Sequence, residues 1–361
     1  MKIVYLFTHD IVKHAGVTKK VLSQTQAWKN LGNKVKICNI SLKKKQIPLS
    51  SFSKKDVYFR ESIFYGAKFL FKDISEFKPD IIYFRFEPYK PYVGKILKKY
   101  KTIAELNTDD YSEMRLNAKK SLIRKIRFLY YLITRNKIYK NIDGFVTVTD
   151  EIANLPHILK WEKPSISIPN SINIIKYPIL KKKSKSKIPH VLFIGTPNHP
   201  WHGIDKILDL AIRTENKLFF HIVGMDKRNY LTLSNVKFYG HLTKDKYQEI
   251  VTLCQIGIGS LAFHRLGINE ACPLKIREYL TYGLPIIIGY SDTAFVTSKL
   301  PEWVLELPNE SNNISNNVDL ILKFCKKMKN RIIHHDEIKN YIDSNILERK
   351  KLVFFKKIID G

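Results

Sequence analysis

The stretch at residues 267–288, GINEACPLKIREYLTYGLPIII, decides how the rest of the chain is interpreted. Pro273 suits the first turn of a helix, where its missing N–H costs nothing, and Gly283 suits the position just past the helix end. The β-branched run that follows, Ile286–Ile288, is typical of a parallel strand covered on both faces. The stretch therefore predicts a loop, a short helix and a buried strand.

Two carboxylates flank the start of this predicted helix. Glu270 lies in the loop before the helix, and Glu278 lies about one turn into it. The helix N-terminus between them presents N–H groups and a positive dipole end, which suit a phosphate. Carboxylates accept hydrogen bonds from sugar hydroxyls, so the stretch fits a sugar joined to a diphosphate. Ordinary roles stay open, because Glu278 could pair with Lys275 on a solvated face and Glu270 could be a plain loop carboxylate.

The composition is that of a globular and strongly basic chain. Its 361 residues allow two domains with a core each, and 44% hydrophobic with 26% charged residues argue against disorder. The 62 Lys and Arg against 33 Asp and Glu give a formal net charge of +29. Such a field attracts polyanions or anionic lipid surfaces, although much of the lysine could equally be solvated surface without a ligand.

Cysteine usage and hydropathy favour a cytoplasmic location. The four cysteines are scattered and form no C-x-x-C pair, which disfavours a disulfide framework and a zinc site. No stretch approaches the ~20 apolar residues of a membrane span. The apolar run at the start of the chain ends at Thr8, far short of a secretory signal, and we interpret it as a first buried strand.

Strands and helices alternate along both halves of the chain. In the first half the pattern predicts strands at 1–7, 34–40, 80–86, 102–106, 144–150 and 166–172, and helices at 17–32, 63–77 and about 115–141. In the second half it predicts strands at 190–196, 218–224, 236–241, 256–261 and 286–288, helices at 203–214 and 243–254, and helical structure towards the end. This alternation indicates an α/β protein with two Rossmann-like, doubly wound domains facing a central cleft.

A lysine-rich segment divides the two series. Residues 181–187, KKKSKSK, have the composition of a linker. We therefore predict an N-terminal domain at 1–180 and a C-terminal domain at 188–344. The helix at about 345–361 is too apolar for a free tail, and we expect it to cross back onto the N-terminal domain.

Laid out in this way, the chain resembles glycosyltransferases of the GT-B fold, specifically the retaining family 4 group, over nearly its full length. In the N-terminal half the resemblance rests on the turn at 14–17, the segments 79–86 and 141–152, and IPNSIN at 168–173. In the C-terminal half it rests on FIG at 193–195, WHGIDK at 201–206 and FYG at 238–240. The Glu270 and Glu278 pair matches the family's E-x7-E motif.

The resemblance implies which residues would bind a nucleotide-sugar donor and what each of them would contact. Glu278 would bind the ribose hydroxyls, and Glu270 would hold the hydroxyls of the donor sugar at the reacting centre. Backbone N–H groups around three residues would meet the diphosphate: Ala271, Cys272 and Leu274. Gly16, in the turn after the first strand, is assigned to the donor site as well.

The chain also departs from the family pattern. The family's diphosphate-binding Arg and Lys are replaced by Thr196 and His202. Lys275 and Lys206 are the candidate replacements, although Lys206 could also lie on a solvated helix face. His202 could bond phosphate or sugar. Asn107 stands where many relatives have a His near the donor sugar; it can take that polar role at the catalytic centre but cannot act as a base.

The implied activity is transfer of a hexosyl group from a UDP- or GDP-linked donor to a hydroxyl of a glycan or lipid-linked acceptor, in cell-surface polysaccharide or glycolipid synthesis. The resemblance implies retention at the anomeric carbon, with the departing phosphate drawing the acceptor proton. Fixed cations and a helix end can neutralise the leaving group without metal, so we expect no cofactor and no obligatory metal ion.

The basic helix predicted at about 115–141 indicates a possible binding partner of the protein. A basic amphipathic helix can lie on an anionic membrane, with each charge contributing ~1 kcal/mol. We expect its apolar stripe to be mostly core and its basic face to be free to meet such a membrane, which would place a cytoplasmic protein peripherally at the inner face. Two alternatives remain: a DNA-modifying glucosyltransferase, disfavoured because no nucleic-acid motif is present, and a basic polyanion-binding protein without catalysis.

Overall fold

The computed structural model describes residues 1–8, 16–41, 57–59, 68–181, 186–227, 230–296 and 299–361. By its contacts the chain divides into two compact units. Unit 1 comprises Met1–Ser171 with Ser344–Gly361, and unit 2 comprises Ile172–Asp343. The division falls before the lysine-rich segment chosen from the sequence, so that residues 172–180 belong to unit 2 and not to the N-terminal unit. Residues 182–185 of the predicted linker lie outside the described residues.

Unit 1 is built on a seven-stranded parallel sheet with the order β3-β2-β1-β4-β5-β6-β7. Its strands are β1 (Lys2–Phe7), β2 (Lys34–Ser41), β3 (Val57–Phe59), β4 (Ile81–Arg85), β5 (Thr102–Leu106), β6 (Gly144–Thr147) and β7 (Ser165–Ser167). The order reverses between β1 and β4, which is the doubly wound arrangement. The central strand β1 is almost fully buried, as its apolar sequence requires.

The helices of unit 1 connect these strands. They are α1 (Gly16–Asn30), α2 (Lys68–Phe77), α3 (Pro91–Lys99), α4 (Asp110–Ala118), α5 (Leu122–Tyr139), α6 (Asp150–Ala153) and α7 (Pro156–Leu159). The helix predicted at 63–77 falls partly outside the described residues, and its described part is α2.

The prediction of a single basic helix at about 115–141 is wrong, because the chain forms two helices there, α4 and α5. Ser121 ends the connection between α4 and α5, and its hydroxyl accepts a hydrogen bond from the Arg124 N–H at 3.4 Å. A serine in this extended cap position starts a new helix and does not continue the old one. The expectation that the apolar stripe is mostly core is wrong as well, since most apolar side chains in the first three turns of α5 are exposed.

Unit 2 repeats the same strand order. Its six-stranded parallel sheet runs β10-β9-β8-β11-β13-β15, and a two-stranded ladder pairs β12 with β14. The strands are β8 (His190–Ile194), β9 (Phe219–Val223), β10 (Val236–Phe238), β11 (Ile256–Ile258), β12 (Glu270–Ala271), β13 (Ile286–Ile288), β14 (Ser291–Asp292) and β15 (Val304–Glu306). The order reverses between β8 and β11, where doubly wound sheets bind ligands beyond the carboxyl ends of their strands.

Helices cover the sheet of unit 2. They are α8 (Ile204–Arg213), α9 (Lys244–Leu253), α10 (Leu274–Thr281), α11 (Val318–Met328) and α12 (His335–Ile342). Short 3-10 turns lie at Ile174–Lys176, Pro200–His202 and Phe263–Leu266. The predicted α/β class with two doubly wound parallel sheets is confirmed.

The last helix, α13 (Ser344–Asp360), belongs to unit 1 and packs against α1. Trp28 on α1 donates its indole N–H to Glu348 Oε2 at 2.8 Å. The Phe355 ring lies edge-on to the Trp28 ring at 5.5 Å. Burial of these large side chains explains why the C-terminal sequence is so apolar.

Candidate functional site

Helix α10 begins and ends where its sequence allows. Pro273 is the cap residue just before the first helical residue, one position earlier than predicted. Gly283 follows the helix with φ +80°, in the left-handed region. Its N–H bonds Leu280 O at 3.0 Å, and the Leu284 N–H bonds Tyr279 O at 3.0 Å. This pair of bonds is a Schellman motif, so the predicted loop, helix and strand are confirmed.

A buried ion pair fixes α10 to the β12–β14 ladder. The Arg277 guanidinium, fully buried, donates to both carboxylate oxygens of Asp292 at 2.7 Å each. The same guanidinium contacts Cys272 Sγ at 2.6 Å. Because bidentate pairs of this kind are geometrically specific, they set the position of the backbone at 271–274 relative to the helix.

A second set of contacts fixes α10 to the sheet. The Tyr279 hydroxyl accepts a hydrogen bond from the Ile194 N–H at 2.7 Å, at the end of β8. A Cβ on Gly257 would lie 2.4 Å from the Tyr279 ring, so β11 needs glycine where the helix crosses it. These contacts bring α10 to the carboxyl end of β8.

Lys275 lies at this meeting point. Its ammonium donates to Ile194 O at 3.1 Å and lies over the Phe193 ring, 4.2 Å from the ring centroid. Burial lowers the pKa of Lys275 to about 7. An anion placed here would favour the charged form and would gain a cation in a partly desolvated setting.

His202 lies beside Lys275. Its ring is 5.6 Å from the Phe193 ring, and burial, together with the charges of Lys275 and His199, lowers its pKa to about 3. The imidazole is therefore neutral at neutral pH. Its Nδ1 atom is buried and has no hydrogen-bond partner within the described parts of the chain. We call the arrangement of Lys275, His202, Ile194 and the α10 N-terminus the β8–α10 corner.

The loops around this corner are held close together. The Leu261 N–H bonds His202 O at 3.3 Å, which ties the loop after β11 to the loop after β8. A Cβ on Gly224, whose φ is +87°, would lie 2.1 Å from Gly195 O. Only glycine fits there, and its absence of a side chain lets the turns after β8 and β9 pack against each other.

Glu270 is presented from a strand and not from a loop, which corrects the sequence-based placement. It pairs with Ser291 in the β12–β14 ladder and is half-buried. The ladder is anchored by the Ser291 hydroxyl, which donates to Glu306 Oε1 at 2.6 Å on β15. A carboxylate on so fixed a backbone is preorganised for hydrogen bonds to a ligand.

Glu278 lies on α10 among tyrosines that the sequence analysis missed. Burial and, after it, the Glu278 carboxylate raise the pKa values of Tyr177 and Tyr247. The Tyr282 ring contacts both of those rings, with centroid distances of 5.6 and 6.0 Å. Tyr282, four residues after Glu278 on the helical repeat, is the member that spacing alone could have found.

Lys206 does not join the corner, which corrects its assignment as a phosphate cation. Its buried ammonium donates to Glu310 O at 2.6 Å, Ser311 O at 3.1 Å and Asn313 Oδ1 at 2.7 Å. An ammonium has three donors, and these acceptors use all of them. Lys206 therefore holds the loop at 310–313 and leaves no donor for a phosphate.

Asn107 lies in unit 1, at the end of β5, in a buried charge network. Its Oδ1 accepts from Lys20 Nζ at 2.5 Å, and Lys20 also pairs with Glu105 at 2.9 Å. Arg85 Nη1 lies 3.3 Å from Glu105. Burial raises the pKa of Glu105, but the charges of Lys20, Arg85 and Lys351 outweigh it and hold that pKa well below its usual range. Asn107 is thus oriented by Lys20, a residue that the sequence analysis placed only on a helix.

Gly16 also lies in unit 1, as the exposed first residue of α1. The rest of the predicted turn before it, residues 14–15, lies outside the described residues. Unit 1 thus contains Gly16 and Asn107, whereas Glu270, Glu278, Lys275 and His202 all belong to unit 2.

Two further findings concern the described part of the chain. No group of three or more His, Cys, Asp or Glu side chains is placed there to hold a metal ion. Every helix within the same ranges falls short of the length and apolarity that crossing a membrane requires.

Comparison with known proteins identifies the fold of this chain but does not assign the chain to a family. The chain matches no protein-family model, and no curated protein matches it. Solved structures do match over its whole length. The apo form of the lipopolysaccharide outer core galactosyltransferase WaaB has a TM-score of 0.65 at 13% identity, covering 99% of this chain and 100% of that one.

Two other solved structures contain ligands. Anabaena Alr3699/HepE in complex with UDP and glucose has a TM-score of 0.63 at 13% identity, covering 99% of this chain and 100% of that one. An alpha-glucosyltransferase in complex with UDP-glucose and DNA containing an abasic site has a TM-score of 0.64 at 12% identity, covering 99% of both chains. The chain therefore has the fold of GT-B glycosyltransferases.

Proposed function

We propose that this protein is a hexosyltransferase that binds a nucleotide-sugar donor at the β8–α10 corner. One observation carries the proposal: Lys275 and the N-terminus of α10 meet at the carboxyl end of β8, where the strand order of unit 2 reverses. A diphosphate is the ligand that a helix N-terminus and a desolvated cation bind together. Two GT-B proteins of the same fold were solved with UDP or UDP-glucose, which supports this class of donor.

Each residue of the site then has a distinct role. Lys275 and the N–H groups around 271–274 bind the diphosphate. Glu278 accepts hydrogen bonds from the ribose hydroxyls, and Glu270 accepts them from the hydroxyls of the donor sugar. His202, which is neutral, offers a ring nitrogen to phosphate or sugar. This pair of carboxylates is also the reason to propose a likeness to the retaining family 4 enzymes.

The proposed reaction replaces the bond from the anomeric carbon to the diphosphate oxygen with a bond to the acceptor oxygen, on the same face of the sugar. The departing diphosphate accepts the proton from the acceptor hydroxyl, so no side-chain base is required. Lys275 and the helix dipole stabilise the negative charge that develops on the leaving group. We propose that the reaction needs no metal ion and no further cofactor.

The acceptor in this proposal is a hydroxyl of a glycan or of a lipid-linked saccharide, in the synthesis of cell-surface polysaccharide or glycolipid. The protein would act in the cytoplasm, at the inner face of the membrane. The strong positive charge supports an anionic surface as partner.

A second acceptor class, DNA, is favoured by one specific observation. An alpha-glucosyltransferase of the same fold was solved with UDP-glucose and DNA, and a net charge of +29 suits a phosphate backbone. Glucose transfer to duplex DNA would establish this alternative, and absence of transfer with an active donor site would remove it.

The proposal is tested by donor binding and turnover in matched variants. We expect Glu278→Gln to raise the Kd of UDP-glucose or GDP-mannose, whichever binds, by roughly 10- to 100-fold, because a charged hydrogen bond contributes ~1.5–3 kcal/mol. Glu270→Gln should mainly lower turnover, measured as nucleoside diphosphate released. Glu249→Gln, an exposed carboxylate on α9, is the control and should change neither. Unchanged Kd and turnover in both site variants would refute the assignment.

Two measurements test the finer points. Turnover that survives EDTA supports a metal-free reaction, and turnover that EDTA abolishes and magnesium restores contradicts it. Proton NMR of the new linkage reports its anomeric configuration, and an inverted product would contradict retention.

A further inference from the structure

Helix α5 has two opposite faces, and the described residues cover only one of them. The buried face of the helix consists of Tyr131, Thr134, Ile138 and Tyr139. On the opposite face lies a second apolar row at i, i+4, i+7 and i+11 spacing, which we call the α5 stripe: Leu122, Ile126, Leu129 and Ile133. These four side chains are 73%, 58%, 50% and 74% exposed. An apolar row so aligned and so exposed needs a partner.

The α5 stripe lies on a helix whose charged side chains are all positive. The helix sequence contains five basic residues and no acidic residue. The basic residues are Arg124, Lys125, Arg127, Arg135 and Lys137. Lys119 and Lys120 add to this charge just before the helix, and both are exposed. By helical periodicity Lys125 and Lys137 border the α5 stripe on its two sides, whereas Arg135 lies towards the covered face. A partner for this face is therefore apolar inside and negatively charged at its surface.

The orientation of α5 on unit 1 is fixed by polar and aromatic contacts. Tyr130 donates its hydroxyl hydrogen to Tyr89 O at 2.9 Å. The Arg135 guanidinium lies over the Tyr111 ring of α4 at 5.3 Å, and the Lys137 ammonium lies over the Tyr89 ring at 5.4 Å. The α5 stripe is therefore presented to its partner without rearrangement of the helix.

We infer that the α5 stripe docks on the surface of an anionic lipid bilayer. The helix lies in the plane of the interface, with its four apolar side chains at the acyl boundary and the flanking cations at the level of the lipid phosphates. A second copy of the chain is a poorer fit, because an isologous contact would set the same cations against each other. The inference deepens the proposed location at the inner face of the membrane by naming the surface that binds there. It concerns unit 1 and holds whatever the donor site binds.

The test is flotation of the full-length protein with vesicles of phosphatidylcholine, with or without phosphatidylglycerol. We expect binding to the anionic vesicles at low salt, weaker binding at high salt, and little binding to pure phosphatidylcholine. The quadruple variant L122Q/I126Q/L129Q/I133Q should lower the partition coefficient by roughly 200-fold if each side chain buries one methylene equivalent. All four positions are exposed, so its Tm should match that of the wild type.

Matched controls separate the α5 stripe from general surface changes. The variant I212Q/L320Q/V353Q removes three exposed apolar side chains from other helices and should bind vesicles as the wild type does. The variant K119Q/K120Q/K125Q should weaken binding by roughly 100-fold, at about fivefold per charge. Its control K326Q/K350Q/K356Q changes the net charge equally at exposed positions and should retain binding close to the wild-type value.

Three results would overturn the inference. One is equal binding of the wild type and the quadruple variant to anionic vesicles. The second is a wild-type dimer in light scattering that the quadruple variant converts to a monomer, which would assign the α5 stripe to a second copy. The third is retention of the protein by duplex DNA without binding to anionic vesicles. Each readout is independent of donor binding, so failure here leaves the proposed transferase activity standing.

Discussion

Raising the pH should release the nucleotide-sugar donor, because it removes the charge of Lys275. Burial lowers the pKa of this lysine to about 7, whereas an exposed lysine titrates near ~10.4. If the diphosphate binds only the ammonium form, the donor Kd rises about tenfold per pH unit above 7, until the pH reaches the pKa of Lys275 in the bound state. Below about pH 6 the lysine is charged and the Kd should level off.

Calorimetric titration of the protein with UDP-glucose over about pH 6 to pH 9 measures this effect, with a predicted rise in Kd of roughly a hundredfold. Each phosphorus of this donor carries one ester bond and the shared anhydride bond, so the diphosphate itself does not titrate in the interval. If the protein binds another nucleoside diphosphate better than UDP, the matching nucleotide-sugar takes the place of UDP-glucose.

Two variants complete the experiment. Lys275→Met should bind the donor weakly and without this pH dependence. Lys246→Met removes an exposed charge on α9 and should keep both the affinity and the slope of the wild type. A wild-type Kd that is constant over the interval, or a Lys275→Met variant with wild-type affinity and slope, would refute the reasoning.

Three predictions concern stability, each measured as the free energy of unfolding in urea. The unfolded chain binds more protons at Lys275 than the folded chain between about pH 7 and pH 10, so stability without ligand should rise with pH there, and Lys275→Met should reduce that slope. Lys206→Met should destabilise the protein by about 3 kcal/mol, because it leaves three acceptors in the loop at 310–313 without their donor. The same variant should leave the donor Kd unchanged. A large loss of donor affinity in a folded variant would show that Lys206 does belong to the donor site. Arg277→Met should cost about 3–5 kcal/mol by leaving Asp292 buried without its partner, and a loss below about 1 kcal/mol would contradict the structural role of that pair.

The fold was predictable where burial of an element on both faces requires a continuous run of apolar residues. Strand β5 (Thr102–Leu106) has the predicted bounds, and β13 (Ile286–Ile288) is fully buried, since strands covered on both faces are continuous apolar runs. The sequence could not decide which face of α5 is covered, because that helix has apolar residues on both sides. Periodicity shows that a face is apolar and not what lies against it.

The candidate site was predictable only where its parts are close in sequence. Glu278 and Lys275 belong to one stretch, and local helix signals placed both on α10. Glu270 belongs to the same stretch, but its place on the short strand β12 was not predicted, because the pairing strand β14 lies after the helix. The role of Lys206 depends on Asn313, which is 107 residues later in the chain. Likewise Glu105 gathers Lys20 and Arg85 from two other elements of unit 1, and no local pattern marks such a network.

The most direct test of a nucleotide-sugar site at the β8–α10 corner is the melting temperature of the protein with UDP, GDP, CDP, ADP and dTDP, each in the presence of EDTA. We expect one diphosphate to raise the Tm of the wild type, since a ligand at 100 times its Kd stabilises by about 2.7 kcal/mol. We also expect Glu278→Gln to lose half or more of that rise at the same ligand concentration. No rise with any diphosphate, or an undiminished rise in Glu278→Gln, would contradict a nucleotide-sugar site at the β8–α10 corner.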